Sequence, residues 1–214
     1  MLKLNFGDSL GQILCLGSHS DDIEIGCGGT ILKLIEMYPH LNIYWVVFGA
    51  TGVREQEATK SAESLLSSIK HKNIVIKGFK DGFFPYIGGE IKLYCEQLKQ
   101  QVNPDLILTH YGQDLHQDHR LISELTKNTF RNHLIWEYEI PKYDGDLSSP
   151  NVYVHLERSH CQQKIQHLMN HFQTQNNKQW FTEETFNSIL RIRGIESNAP
   201  QQYAEGFYCR KTVF

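Results

Sequence analysis

The chain has no Cys-x-x-Cys pair, no surplus of positive charge, no internal repeat, and no apolar run near the roughly 18 residues that a membrane-spanning helix needs. Each absence excludes a class. The five cysteines, at 15, 27, 95, 161 and 209, are odd in number and unpaired in spacing, which argues against a disulfide framework and a thiolate zinc site. With 21 Lys and Arg against 24 Asp and Glu, a net charge of -3, no overall field favours nucleic acid or an anionic membrane. Met1 to Asp8 lacks the apolar stretch and cleavage site of a secretion signal, so a reduced, cytoplasmic protein is expected. What is present is an ordinary globular composition. In 214 residues, 40% hydrophobic and 21% charged, a core can form without staples, burying about 70% of the unfolded surface.

Gln12 to Gly17, Asn42 to Gly49 and Asp105 to His110 are short, nearly continuous apolar runs bounded by Gly, Asn, Pro or Asp, the signature of strands buried on both faces. Asn73 to Gly78, Leu134 to Ile140 and Val152 to Leu156 are weaker runs of the same kind. Between them lie helical spacings: Ile31, Leu34, Ile35 and Tyr38; Ala58, Ala62, Leu65, Leu66 and Ile69; Ile91, Tyr94, Cys95 and Leu98; Leu121, Ile122 and Leu125. The alternation predicts one α/β domain over 1–214, a Rossmann-like, mostly parallel sheet with helices on both faces in a three-layer sandwich. Lys142 to Pro150 is expected as a long loop. Two more helical patterns follow Ser159, then a Gly- and Asn-punctuated tail expected to pack on the sheet edge.

In such a sheet ligands bind outside the carboxyl ends of the strands, so the residues just after each strand carry the functional information. The first strand runs into His19-Ser20-Asp21-Asp22, the second into Thr51-Gly52-Val53-Arg54, and the fourth into His110 and then Asp114-Leu115-His116-Gln117-Asp118-His119. A catalytic zinc takes three protein ligands and leaves a fourth position for water. His19-x-x-Asp22 and His116-x-x-His119 supply such ligands from two loops that the fold brings together. The metal would lower the pKa of its water from about 15.7 toward 7. Of the two adjacent aspartates one can bind metal and the other take the water's proton; of the two histidines one can bind metal and the other, if protonated, stabilise the tetrahedral intermediate. Asp118 is placed to hold that second imidazole in its cationic form.

Each signal also has a bland reading. An Asp-Asp pair before a helix, here expected from about Ile25, is commonly a cap. Gly26-x-Gly28-Gly29 reads as close helix packing, because a dinucleotide fingerprint sits directly in the strand-to-helix turn and here His19 to Asp22 intervene. Arg54 and Glu57 also suit an exposed helix pair. His155, His160, His167 and His171 read as solvated or core-edge residues, and Cys15 and Cys27 as small core residues.

Taken in order, these elements resemble the zinc-dependent de-N-acetylases of the PIG-L/LmbE type, whose marks are a His-Pro-Asp-Asp loop leading into Gly-x-Gly-Gly-Thr and a later His-x-Asp-His. This chain reads His19-Ser20-Asp21-Asp22, Gly26-Cys27-Gly28-Gly29-Thr30 and His116-Gln117-Asp118-His119, followed over nearly its whole length by Arg54-x-x-Glu57, Lys80-Asp81-Gly82, Arg193-Gly194 and Tyr203-Ala204-Glu205-Gly206-Phe207. The resemblance implies His19, Asp22 and His119 as metal ligands, Asp21 as general base, His116 as the imidazole assisting the oxyanion and leaving amine, and Asp118 as its orienter. Arg54 and Asp81 match substrate-side positions. It further implies release of acetate from an N-acetylated amino sugar, free, nucleotide-linked or lipid-linked. Ser20 departs from the family's proline, loosening the loop by about 1 kcal/mol through the unfolded state without removing a ligand; Leu115 stands where some relatives carry a polar or aromatic residue. The two-His, one-carboxylate set suits Zn2+ and also Fe2+. The expected partner is a small-molecule sugar, with no nucleic acid and no stable membrane insertion, and with homo-oligomers through the sheet edge or tail left open. Two other classes compete: a catalytically silent carbohydrate-binding relative, hinted at by Ser20, and a nucleotide-cofactor oxidoreductase, disfavoured by the missing fingerprint.

Overall fold

A computed structural model describes residues 5–7 and 10–213. Residues 1–4 and 8, part of the Met1 to Asp8 segment on which the absence of a leader was read, lie outside the described residues. The strands are β1 (Gln12–His19), β2 (Asn42–Gly49), β3 (His71–Ile76), β4 (Leu106–His110), β5 (Leu134–Tyr138), β6 (Val152–Leu156) and β7 (Tyr203–Cys209). The helices are α1 (Asp22–Met37), α2 (Val53–Leu65), α3 (Gly88–Lys99), α4 (Gln117–Thr129), α5 (Arg158–His171) and α6 (Glu183–Glu196), with 3-10 turns at Phe84–Ile87 and Gln173–Gln175.

One sheet of order β3-β2-β1-β4-β5-β7-β6 runs through the molecule, parallel from β3 to β5 and antiparallel at both contacts of β7. Alternate side chains of the same strand feed opposite cores. Ile13 and Cys15 of β1, with Trp45 and Val47 of β2, pack beneath α1, α2, α5 and α6; Leu14, Leu16, Val46 and Phe48 pack beneath α3 and α4. This is the expected three-layer sandwich. The chain moves outward from β1 to β3 with its helices on one face, then returns to β4 and β5 with helices on the other, as right-handed crossovers require. The reversal lies between β1 and β4, so the crevice at the topological switch point opens between the loops that begin at His19 and His110.

Three expectations are corrected. The tail does not lie on the edge: its strand β7 inserts between β5 and β6, leaving β6 outermost, because the long connection from β5 to β6 leaves room for one strand, which β7 fills antiparallel to both. Helix α1 starts at Asp22 rather than Ile25, since Ile25 N–H already donates to Asp21 C=O at 3.0 Å. The strand read at Asn73 to Gly78 is shifted to His71–Ile76, and those read at 12–17 and 134–140 run to His19 and stop at Tyr138.

Helix α1 is broken at Cys27 (φ -145°, ψ 16°), and the break is repaired from the tail. The Glu205 carboxylate accepts the amides of Gly29 (2.9 Å) and Thr30 (2.6 Å), in the turn just after the break. Lys164 donates to Ile25 C=O and to Glu205, both at 2.6 Å. The glycines are packing residues: a Cβ at Gly26 would lie 2.1 Å from the Tyr138 ring, and one at Gly29 would lie 2.5 Å from Leu156. The N-terminal turn of α1, which carries Asp21 and Asp22, is thereby seated on the sheet.

Candidate metal and active site

The first loop leaves β1 with Ser18 N–H donating to His110 Nε2 (2.9 Å) and His19 N–H donating to Asp22 Oδ2 (2.6 Å). Asp21 occupies the N-cap position of α1 yet makes no side-chain cap bond, so its carboxylate is left facing the cleft. The second loop delivers His119 from the first turn of α4, with His116 at its N-cap accepting Asp118 N–H at Nδ1 (3.2 Å).

Three atoms from the two loops form a compact triangle: His19 Nδ1 to Asp22 Oδ2 is 3.3 Å, His119 Nε2 to Asp22 Oδ2 is 3.5 Å, and His119 Nε2 to His19 Nδ1 is 3.2 Å. Zinc bonds of about 2.0–2.2 Å in a tetrahedron give ligand-to-ligand edges of about 3.3–3.6 Å, so the triangle is close to the dimensions of a metal-binding face. The outward nitrogens are satisfied as such ligands require. His119 Nδ1 lies 3.0 Å from Asp114 Oδ2, and His19 Nε2 lies 3.1 Å from Asp81 Oδ1 and 3.2 Å from Asp118 Oδ2.

The charge balance points the same way. Burial acts against a charged His19, but Asp22, Asp118 and Asp81 together carry its pKa well above the usual histidine value. Asp22, despite burial, is held well below the carboxylate range by His119, His110 and His19. His119 is lowered to about 3 by burial and by His110. Asp21 is raised, by burial and by its neighbour Asp22. With Asp22, Asp81, Asp114 and Asp118 within hydrogen-bond or ion-pair distance of His19 and His119, the pocket has the donor set and the surplus of negative charge that a divalent cation would neutralise.

One expected pairing differs. Asp118 does not hold His116; its carboxylate accepts Gly82 N–H (2.7 Å) and Phe84 N–H (3.1 Å) and faces His19. His116 is accordingly lowered, by burial and by His19, and not held as a cation. The reason is geometric: His116 at the N-cap uses Nδ1 on the Asp118 amide, while the Asp118 carboxylate, though within 4.8 Å of a His116 ring nitrogen, spends its oxygens on His19 and on the amides of the Gly82 turn (φ +78°). Arg54 and Glu57 are not a pair either. Arg54 Nη1 donates to Asp81 Oδ2 at 2.7 Å, its Nε donates to Ser20 Oγ at 3.2 Å, and its Nη2 is 3.8 Å from Asp21, while Glu57 reaches Thr174.

Several residues at the site had no role from sequence. Fully buried His110 places Nε2 3.2 Å from Asp22 Oδ2 and stacks on His119 with centroids 4.0 Å apart. Its signal was its place as the last residue of β4 at the switch point. Asp114, 2% exposed, also accepts His116 N–H (2.8 Å) and binds Lys142 Nζ (2.9 Å). Lys142 pairs in turn with Asp146, which accepts Leu115 N–H at 2.7 Å, so the loop read as a connection clasps the second motif. The cleft above the triangle, about 320 Å³, is walled further by Tyr143, Lys178 and Trp180.

The comparisons agree with this architecture. The model of the family described as PIG-L, GlcNAc-PI de-N-acetylase, matches residues 14–130. The "Uncharacterized deacetylase YaiS" of Escherichia coli K12 is 25% identical over 115 residues, 50% of this chain and 61% of that protein. The N,N'-diacetylchitobiose deacetylase of Pyrococcus horikoshii superposes with a TM-score of 0.70 at 20% identity, covering 94% of this chain and 84% of that one. GalB, the 4-carboxy-2-hydroxymuconate hydratase of Pseudomonas putida KT2440, gives 0.73 at 16% identity over 96% and 98%. These structural likenesses establish the fold, and a deacetylase and a hydratase share it, so the activity must be argued from the site.

Proposed function

The chain belongs to the PIG-L, GlcNAc-PI de-N-acetylase family, and from that premise we propose that it is a metal-dependent hydrolase releasing acetate and a free amine from an N-acetylated amino sugar or sugar conjugate. The observation that carries the reading is the triangle of His19 Nδ1, Asp22 Oδ2 and His119 Nε2, with edges of 3.2–3.5 Å. Those three residues would hold Zn2+, or Fe2+, which when bound supplies Lewis acidity to the amide carbonyl and the attacking water.

The remaining roles fall to the chain itself. Asp21, adjacent to the triangle with a raised pKa and no capping duty, takes the water's proton. His116 has Nδ1 occupied by the Asp118 amide, so Nε2 is the atom that serves the oxyanion and hands a proton to the departing amine. Asp118, through His19 and the Gly82 turn, positions the first loop and keeps Asp81 over it. Arg54 and Asp81 present a donor and an acceptor at the cleft for sugar hydroxyls. Ser20 in place of proline gives Arg54 an anchor that proline cannot offer. Residues 1–214 form one deacetylase domain in this reading, working in the cytoplasm on a small sugar. No helix among the described residues is long and apolar enough to cross a membrane.

The test is acetate release from a panel of N-acetyl sugars by protein stripped with chelator and refilled with zinc or ferrous iron. Activity that rises and falls with metal is expected; release indifferent to metal would sink the reading. Asp21→Ala should keep the metal and lose turnover by about 10²–10⁴-fold. A silent sugar-binding relative would show no turnover in the parent.

A further inference from the structure

Ser20 is fully buried between His19 and Asp21, and its hydroxyl has a partner on each side. Arg54 Nε–H donates to Ser20 Oγ at 3.2 Å, and Ser20 Oγ–H donates to Asp21 Oδ1 at 3.4 Å. The direction of this pair is forced. A guanidinium N–H can only donate, so the serine oxygen accepts there and its one proton is left for the carboxylate. Arg54 Nη2 lies 3.8 Å from that same Oδ1. Both donors therefore fall on one oxygen of Asp21, and among the described residues no hydrogen bond or ion pair reaches Oδ2. Lys178 of the facing wall acts on the carboxylate only as a charge beyond ion-pair distance.

Arg54 is itself held from two directions. Its backbone belongs to the first turn of α2, outside the loop, and its Nη1 donates to Asp81 Oδ2 at 2.7 Å. Asp81 Oδ1 is in turn 3.1 Å from His19 Nε2. From His19 through Asp81, Arg54 and Ser20 to Asp21, the contacts close a circuit on the first loop, with a helix as its outer frame.

We propose that Ser20 is a positioning residue that, with Arg54, occupies Oδ1 of Asp21 and so assigns Oδ2 as the oxygen that takes the water's proton. The inference rests on the deacetylase reading for the role of Asp21, but not for the clasp itself. A carboxylate that turns freely offers either oxygen at changing angles, whereas one tied at Oδ1 presents Oδ2 in a single direction, and a base acts only from the right distance and orientation. Proline at position 20 has no hydroxyl and could hold the loop only through its fixed φ.

Two measurements test this. The first is steady-state deacetylation by metal-loaded Ser20→Ala, Ser20→Thr and Ser20→Pro, and by Ser20→Ala combined with Asp21→Ala, on the N-acetyl sugar that the parent turns over fastest. Ser20→Ala should lower kcat about tenfold with KM and zinc affinity within about twofold of the parent. Ser20→Thr should restore kcat, and Ser20→Ala should cost nothing further once Asp21 is alanine. An unchanged kcat in Ser20→Ala, or the same fractional loss on the Asp21→Ala background, overturns the proposal. So does a fall in zinc affinity that matches the fall in kcat, which would point to a disturbed metal loop, or recovery by Ser20→Pro, which stiffens the loop without supplying a donor. The second measurement does not depend on turnover: a double-mutant cycle of Ser20→Ala and Arg54→Met, read by urea unfolding of the metal-free protein. The two losses together should be smaller than their sum, and additive losses overturn the clasp. Coupling between the two residues in a parent that releases acetate from no N-acetyl sugar would sink the deacetylase reading and leave the clasp standing.

Discussion

Asp114 supplies no atom to the ligand triangle, yet its carboxamide variant should weaken the metal site. Oδ2 of this 2%-exposed carboxylate lies 3.0 Å from His119 Nδ1 and 2.9 Å from Lys142 Nζ, while Oδ1 accepts His116 N–H at 2.8 Å. In Asp114→Asn the amide oxygen can take the place of one carboxylate oxygen only, keeping either His119 and Lys142 or the His116 N–H. The NH2 group then confronts a donor, either the His116 N–H or the His119 ring N–H together with the Lys142 ammonium, and in both cases the charge that makes His119 a stronger ligand is gone. Loss of such an outer partner costs about 10–100-fold in metal affinity, about 1.4–2.7 kcal/mol, in line with about 1.5–3 kcal/mol for a hydrogen bond to a charged group. Lys142 retains Asp146, so no cation is stranded, and the metal-free fold should lose only about 1–2 kcal/mol. The assay is competition for zinc against a chromophoric chelator, with thermal unfolding of the metal-free proteins as the control. Zinc affinity within twofold of the parent, in a variant that is folded, would refute the argument that Asp114 prepares His119 for a cation.

Gly26→Ala would put a methyl 2.1 Å from the buried Tyr138 ring, whose hydroxyl is tied to Leu16 C=O at 2.7 Å; a loss of about 3 kcal/mol or more is expected by denaturant titration, and an unchanged midpoint would show that α1 shifts freely. Glu205→Ala strands Lys164 and uncaps the break in α1, so stability should fall by about 3–5 kcal/mol, and Glu205→Leu combined with Lys164→Met should recover most of it; no recovery would mean that the amide caps matter more than the stranded charge. His167 Nε2 is hydrogen-bonded with Ser61 Oγ at 2.8 Å, the ring stacks on His171, and its pKa is lowered from 6.5 to about 4 by burial and then by His171. Its neutral form is favoured in the fold, so its contribution is complete above the ordinary pKa and is lost as pH falls from 6.5 toward 4; between about pH 7.5 and about pH 5 the loss should be at most about 2 kcal/mol, and His167→Gln should flatten that slope in urea unfolding. A slope identical in parent and variant would assign the pH dependence elsewhere.

Much of the framework was legible because local chemistry repeats it. The runs at 12, 42 and 106 are apolar on both faces because they are interior parallel strands, and the helices between them carry one apolar stripe each. The turn residues after β1 and β4 were legible as a site for the same reason: parallel sheets put their loops at one end. The tail was less transparent. Tyr203–Cys209 alternates poorly and is punctuated by Gly206, which lies against Pro150 and the Arg193 side chain, so its place between β5 and β6 followed from packing that no local period records.

Local pattern was enough for the parallel strands, the helices between them and the set of imidazoles and carboxylates at the carboxyl ends of β1 and β4, because strand period, helix period and loop position are properties of neighbours along the chain. Only the tertiary structure decided that Asp118 faces His19 across 99 positions instead of His116 two residues away, that Asp114 backs His119 together with Lys142, and that Lys178 and Trp180 stand in the cleft wall. Those relations depend on rotamers and on the order in which strands pair, and a hydrogen bond between distant residues leaves no period in the sequence that makes it.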